Sequence, residues 1–293
     1  MSERSRQTLA LPSGFFRGVG LHSGADAAVR FLPASAGSGL IFRDAHTGQE
    51  IPACAANVTD TSRCTRLALG GREVQTVEHV LSALAGLEID DAVIEFEGPE
   101  MPAADGSAAP FVQMLLEAGQ ATQPGPTVMP ITLDAPLFIS EGVASLAAFP
   151  ADHFDATVVL DYPRQAYLGT LAARFVQGWG DYQTWVAPAR TFGFVAELEA
   201  LKARGLALGA TRDNAVALGR EGYETPLRFP DELARHKLLD LIGDLALAGR
   251  PLRARILALM PGHTLNTRLA GLLAEQAIEQ DKSTLDESTL GPL

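Results

Sequence analysis

Between residues 77 and 84 the apolar positions Val77, Val80, Leu81 and Leu84 fall at i, i+3, i+4 and i+7, the spacing of one buried helix face. Gly86 closes the pattern in the way a glycine closes many helices. Alternation takes over at 92–97, with Ile94 and Phe96 on one face and Glu95 and Glu97 on the other. That predicts a half-buried strand. Asp105-Gly-Ser107 then leads into a second helix over about 111–118, with Asp105 and Ser107 read first as capping groups ahead of Pro110.

The same order returns later in the chain. Leu238, Leu241, Ile242 and Leu245 predict a helix, residues 253–260 a strand, and Pro261-Gly-His263 leads into a final helix. The registers also agree. His79 precedes Gly86 by seven residues and His236 precedes Gly243 by seven, with leucines two and five positions after each histidine. An internal duplication of an α/β unit follows from this match. Between the halves, Thr122-Gln-Pro-Gly-Pro-Thr-Val-Met-Pro130 excludes helix and disfavours a central strand. The expected division is a first α+β domain at 1–123, a linker at 124–130, a second α+β domain at 131–280 and a polar tail at 281–293.

Composition narrows the class. The chain has 293 residues, 47% hydrophobic and 20% charged, a globular balance with no apolar run approaching the roughly 20 residues of a membrane-spanning helix. With 23 basic and 35 acidic residues the formal charge is −12, and no basic tract is present to track a phosphate backbone, so nucleic acid is not an expected partner. Two cysteines, Cys54 and Cys64, form no CxxC pair. They support neither a disulfide framework nor a thiolate metal site, and Cys64 reads as a small buried hydrophobe. With no export signal after the charged N-terminus, the expected location is the cytoplasm. Only three of the basic residues are lysines, Lys202, Lys237 and Lys282, which singles out Lys237 beside a histidine.

The candidate chemistry lies on the two repeated helices. At 100° per residue His236, Asp240 and Asp244 form a stripe opposite Leu238, Leu241, Ile242 and Leu245, and His79 lies about 200° from Val77. A lone histidine is more often a surface or satisfied residue. Two histidines turned away from their core stripes on equivalent helices point instead to a site between the halves. His236 and Asp240 at i, i+4 can reach one point above the helix, and two His with one Asp and an open position is a catalytic zinc ligand set. The same set also binds Fe(II) in oxygenases. Glu78 could serve as general base toward a metal-activated water, His263 as general acid, and Asp244 as the group that orients an imidazole. His46 and His153 read as turn residues. The glycines of Gly18-Val-Gly-Leu-His-Ser-Gly24 form neither a dinucleotide fingerprint nor a P-loop.

That last segment, Thr76-Val-Glu-His79 running into Ser82-Ala-Leu-Ala-Gly-Leu87, Asp105-Gly-Ser-Ala-Ala-Pro-Phe111, Ala189-Arg-Thr-Phe-Gly-Phe194, His236-Lys-x-x-Asp-x-x-Gly-Asp-Leu245 and Gly262-His263 together resemble the UDP-3-O-acyl-N-acetylglucosamine deacetylases. These are the zinc enzymes of the committed step of lipid A synthesis. The motifs occur in the family's order and cover about 7–276. The resemblance implies an α+β fold of two similar domains, each packing a pair of helices on a β-sheet, with the active site at their junction. It implies Zn2+ bound by His79, His236 and Asp240, with Glu78 as base, His263 as the acid that protonates the leaving amine and Thr191 at the oxyanion. Asp244 would support His263. Lys237, Phe192, Tyr162 and His22 would contact the substrate, UDP-3-O-acyl-N-acetylglucosamine, and residues 194–218 would form an apolar acyl passage. A monomer is expected.

Two departures stand out. The family often carries a basic residue shortly before the Gly-His pair, where this chain has Leu259-Met-Pro261, and residues 140–148 lack the lysine some members use near the diphosphate. Charge for the diphosphate is therefore expected from zinc, Lys237 and Arg190 or Arg268. Besides the main reading, a relative acting on another acylated sugar nucleotide, an iron enzyme and a non-catalytic binding relative remain open at this point.

Overall fold

Strand 92–97 is where the alternation in the sequence meets its first surprise. In the computed structural model, which describes residues 4–178 and 181–289, Ala92–Glu97 is the middle strand of a five-stranded sheet. Its outward Glu95 is only 8% exposed. Arg30 and Arg43 on the two neighbouring strands pair with its carboxylate, so the polar face of the strand is covered by ion pairs rather than water.

The order in that sheet is Phe16–Val19, Asp26–Pro33, Ala92–Glu97, Leu40–Asp44, Glu50–Pro52. Neighbours are antiparallel except Ala92–Glu97 beside Leu40–Asp44, which is parallel. A second sheet repeats this arrangement with Leu137–Glu141, Ala144–Pro150, Leu252–Leu259, Asp155–Asp161 and Thr170–Val176. Again the only parallel pair on this path joins the middle strand to the fourth, Leu252–Leu259 to Asp155–Asp161. The late-arriving strand is in each case the one inserted at the centre. A parallel pair needs a long crossover, and each half uses that crossover to deliver a helix, so the register match in the sequence corresponds to a repeated topology.

Six helices accompany the sheets among the described residues: α1 (Glu78–Gly86), α2 (Ala109–Ala118), α3 (Tyr182–Trp185), α4 (Leu198–Ala203), α5 (Glu232–Leu245) and α6 (His263–Thr289). The first half supplies the pair α1 and α2, the second the pair α5 and α6, and α1 packs along α5. This makes the repeated glycines intelligible. A Cβ on Gly243 would stand 2.0 Å from the Glu78 carbonyl oxygen, and one on Gly86 would stand 2.3 Å from the Tyr182 ring. Glycine is what lets α5 approach the first turn of α1. As a result both helices are buried nearly all round, and the polar stripes expected from the sequence face protein, not solvent.

The expected tail is a correction. Residues 281–289 continue α6 to Thr289, and of the expected tail 290–293 lie outside the described residues. Sequence periodicity fades there, but a helix already nucleated and packed propagates at little further cost through residues such as Lys282, Leu285 and Glu287. The proline-bearing stretch 123–130 is irregular, with Val128 bridged to Arg4 and buried. No helix among the described residues is long and apolar enough to cross a membrane.

Candidate active site

Glu78 and His79 form the first turn of α1, and His236 and Asp240 lie one turn apart on α5. The close approach of the two helices brings them together. Asp240 Oδ1 is 3.4 Å from His236 Nε2 and 3.6 Å from His79 Nε2, and the two imidazoles meet edge to face with centroids 5.0 Å apart. His236 Nδ1 donates to the Ala189 carbonyl at 3.0 Å, which leaves the lone pair on Nε2 directed at the shared point. Burial pushes the His236 pKa down to about 4, so the ring is neutral at pH 7, as a ligand must be.

The fit to a cation is tested by Asp240 itself. Its Oδ2 accepts from Lys237 Nζ at 2.8 Å, but its Oδ1 is buried without a hydrogen-bond partner. Burial opposes ionisation of this carboxyl, yet His236 and Lys237 hold it well below the usual range. An orphaned anionic oxygen between two imidazole nitrogens, one of them the Nε2 lone pair of His236, is a costly arrangement without a cation. The three donor atoms lie within 4.8 Å of one another, and two nitrogens and one oxygen suit a divalent metal with an open position.

Around this group stand a buried carboxylate and a third imidazole. Glu78 Oε2 accepts the Thr65 N–H at 3.0 Å, and its Oε1 lies 4.0 Å from His263 Nε2. Burial pushes Glu78 up to about 7, against the pull of His263 and His79. His263, at the start of α6, turns its Nε2 to within 4.0 Å of Asp240 Oδ2 and donates from Nδ1 to Asp244 Oδ2 at 2.9 Å. Burial opposes its charge, but Asp244 and Glu78 carry its pKa up to about 9. Between pH 7 and 9 an ionised Glu78 therefore faces a protonated His263, the pairing that general base and general acid require.

An aromatic and cationic wall borders the site. Lys237 Nζ lies 5.7 Å from the Phe192 ring centre, and that ring is 6.2 Å from His236. Tyr162 stands edge-on to Phe194 at 5.8 Å. Burial lowers the His22 pKa, Glu100 opposing and His263 and His79 adding smaller pushes downward. Thr191 is half-buried, its N–H on the Gly106 carbonyl and its own carbonyl on Val216 N–H, so its backbone is fixed on both sides. Beyond it, Phe192–Phe194 pairs with Val216–Leu218. The segment between them leaves Val195 39% and Leu208 51% exposed, an open apolar surface.

Of the two arginines expected near the diphosphate, Arg190 is already engaged with a carboxylate. Arg190 is buried in a bidentate pair with Glu232, Nε to Oε1 at 2.8 Å, and also donates to the Pro226 carbonyl. Through Nε and Nη2 it holds the loop to α5. Met260, where the family often has a basic residue, accepts the Asp161 N–H on its sulfur at 3.0 Å. Ser107 Oγ accepts the Ala109 N–H at 3.2 Å, but the N-cap itself is Ala108 with no side-chain cap, and Asp105 Oδ1 accepts from Ser107 rather than from the helix. Sequence reasoning missed Thr65, whose hydroxyl donates to Asp244 Oδ1 at 2.5 Å, Asn266, which donates to Asp244 Oδ2 at 2.9 Å, and the fully buried Glu100. Asn266 lies three residues after His263 on the same helix face and was accessible by periodicity. Thr65 and Glu100 carried no local signal.

Comparison with known proteins agrees with this geometry. The profile of the family described as "UDP-3-O-acyl N-acetylglycosamine deacetylase" matches residues 6–275. A protein named UDP-3-O-acyl-N-acetylglucosamine deacetylase from Anaeromyxobacter sp. (strain Fw109-5) is 43% identical over 259 residues, 86% of this chain and 83% of its own length. Proteins of the same name from Leptospira biflexa and Chlamydia felis are 39% and 38% identical, covering 89% and 94% of this chain and 87% and 99% of their own lengths. On the match across nearly its whole length and on these relatives, the chain belongs to the UDP-3-O-acyl-N-acetylglucosamine deacetylase family.

Proposed function

We propose that this protein hydrolyses the N-acetyl group of UDP-3-O-acyl-N-acetylglucosamine, releasing acetate, as the committed step of lipid A synthesis in the cytoplasm. The observation that carries the reading is the opposed pair of Glu78 near pKa 7 and His263 near 9 beside the His79, His236 and Asp240 group. Zinc held by those three ligands would polarise the amide carbonyl and render a water acidic near neutral pH. Glu78 takes a proton as the water oxygen bonds to the acetyl carbon. The Thr191 hydroxyl steadies the developing oxyanion. His263, held in one orientation by Asp244, gives its proton to the sugar nitrogen as the carbon–nitrogen bond breaks, and acetate leaves.

Lys237 carries positive charge despite its burial, which Asp240 more than offsets. With Phe192, Tyr162 and His22 it would hold the sugar and nucleotide. The partly exposed Val195, Leu198, Leu201, Leu206 and Leu208 suit a fatty chain, so residues 194–218 serve as the acyl passage. In this reading 1–123 and 131–280 are the two domains of a monomer, joined by 124–130. The test is acetate release from the acylated UDP-sugar. Glu78→Ala should lower turnover at least about 100-fold, and full turnover after complete metal removal would refute the mechanism. Elemental analysis of the isolated protein decides between zinc and iron.

A further inference from the structure

Glu100 is fully buried, and no lysine or arginine pairs with it among the described residues. Its carboxylate is matched instead by four donors. Oε1 accepts from the His22 N–H at 2.9 Å and the Thr76 hydroxyl at 2.8 Å, and Oε2 from the Ser23 N–H at 2.8 Å and the Ser23 hydroxyl at 2.6 Å. Those donors fill the acceptor capacity of an ionised carboxylate. The loop 20–24 wraps so tightly that a Cβ on Gly20 would stand 2.2 Å from Glu100 Oε2.

The opposite side of this loop touches the apolar insert. Leu208 N–H donates to the His22 carbonyl and Gly209 N–H to the Leu21 carbonyl, both at 3.0 Å. A Cβ on Gly209 would be 2.2 Å from the Gly20 carbonyl oxygen, and Gly24, at φ +64°, packs its Cα side on Leu208. The loop is thus clamped between a buried anion of the first half and the segment of the second half that carries Leu206 and Leu208. Thr76, at φ +59°, ties the same carboxylate to the turn just before Glu78.

We propose that Glu100 is a positioning and specificity-determining residue: by fixing the 20–24 loop it holds Leu206 and Leu208 in place and so sets how well a long acyl chain is bound. This rests on the deacetylase reading for the identity of the substrate, but the clamp itself does not. Glu100→Gln preserves size while placing an amide nitrogen against at least one donor pair, which it cannot accept from.

The experiment compares wild type, Glu100→Gln and the milder Ser23→Ala by two measurements. Amide hydrogen exchange at Leu208 and Gly209 should quicken by about 10-fold or more in Glu100→Gln and less in Ser23→Ala, while strand Leu252–Leu259 and metal content stay unchanged. In steady-state kinetics, KM for a long-acyl substrate should rise about 10-fold with kcat within about threefold, and the preference over a short-acyl analogue should shrink. Unchanged exchange at Leu208 and Gly209, or a loss confined to kcat with the chain-length preference intact, overturns the proposal. Wild type that releases no acetate overturns the deacetylase reading and the chain-length half of this proposal with it, whereas the exchange rates judge the clamp alone. Should Glu100→Gln fail to fold, Ser23→Ala must still show both shifts in smaller measure, and its indifference overturns the proposal.

Discussion

Replacing Asp244 by asparagine isolates the contribution of one charge to the acid. Asp244 Oδ2 accepts from His263 Nδ1 and Asn266 Nδ2, each at 2.9 Å, and Oδ1 accepts from the Thr65 hydroxyl at 2.5 Å. In Asp244→Asn the amide oxygen can keep the first two bonds. The new NH2 faces Thr65 Oγ1, which can accept as well as donate. Geometry and packing therefore survive while the negative charge is lost. Burial lowers the His263 pKa and Asp244 is the largest influence raising it, to about 9 from an ordinary 6.5. Without that charge the value should fall to 6.5 or below, a change worth about 3 kcal/mol at 1.36 kcal/mol per unit. At pH 8 the protonated fraction would drop from about nine-tenths to about 3%, so turnover should fall about 30-fold.

The sign of the pH response follows from the roles. Glu78, raised to about 7 by burial, must lose its proton, so activity rises through pH 7; His263 must keep its proton, so activity falls through about 9. In the variant the alkaline limb moves to or below the acid limb, leaving a low maximum near neutrality. The assay is kcat/KM for acetate release from pH 6 to 10, with a thermal unfolding curve as control. An alkaline limb that stays near 9 in Asp244→Asn would refute the assignment of the proton to His263.

Three further outcomes follow from the same contacts. Thr65→Val removes the hydroxyl on Asp244 but not the N–H on Glu78, and should cost about 1–3 kcal/mol of stability with kcat lowered more than KM is raised; unfolding and steady-state measurements check both. Gly243→Ala places a methyl 2.0 Å from the Glu78 carbonyl oxygen, so α1 and α5 must separate. A loss of about 1–3 kcal/mol and weaker metal affinity are expected, and titration with zinc that matches wild type would count against the close approach as the determinant. Asp240→Asn should leave the folded protein unable to retain metal through dialysis, read by elemental analysis.

What could be read from the sequence were the features with a local period. His79, His236 and Asp240 stood out because a 3.6-residue repeat separates them from the leucines of their own helices, and the matching glycines gave the duplication. The partners of those residues had no such mark. Thr65 reaches Asp244 across 179 positions and His22 reaches Glu100 across 78, distances over which no pattern rule operates. Arg190 was expected with Arg268 to supply charge for a diphosphate, and its pairing with the buried Glu232 at the start of α5, 42 positions away, had no mark in the sequence. The end of α6 was missed for the converse reason, since helix continuation there depends on a nucleus formed earlier in the chain and not on the composition of the last residues.

The duplication explains the fold, but its broken symmetry explains the site. Ahead of each repeated histidine stands a different residue: Glu78 on α1, and Arg235 on α5. Arg235 is buried with its guanidinium 3.3 Å from the Trp185 ring centre, 4.1 Å from that of Phe229, and paired with Asp231 at 2.7 Å. It anchors the start of α5 away from the His79, His236 and Asp240 group. Likewise α5 carries Lys237, Asp240 and Asp244 where the first half has Val80 and Ala83 on α1 and Leu87 at its C-cap. One helix thus supplies Glu78 and His79, the other His236, Asp240 and the Asp244 that holds His263, and neither half holds the whole group. The helix α1 is nine residues long and its Val77 N-cap makes no side-chain cap, so it is marginal alone. Its position is set by packing on α5, and the spacing at Gly243 then fixes the distance between His79 and Asp240 on which the proposed metal binding depends.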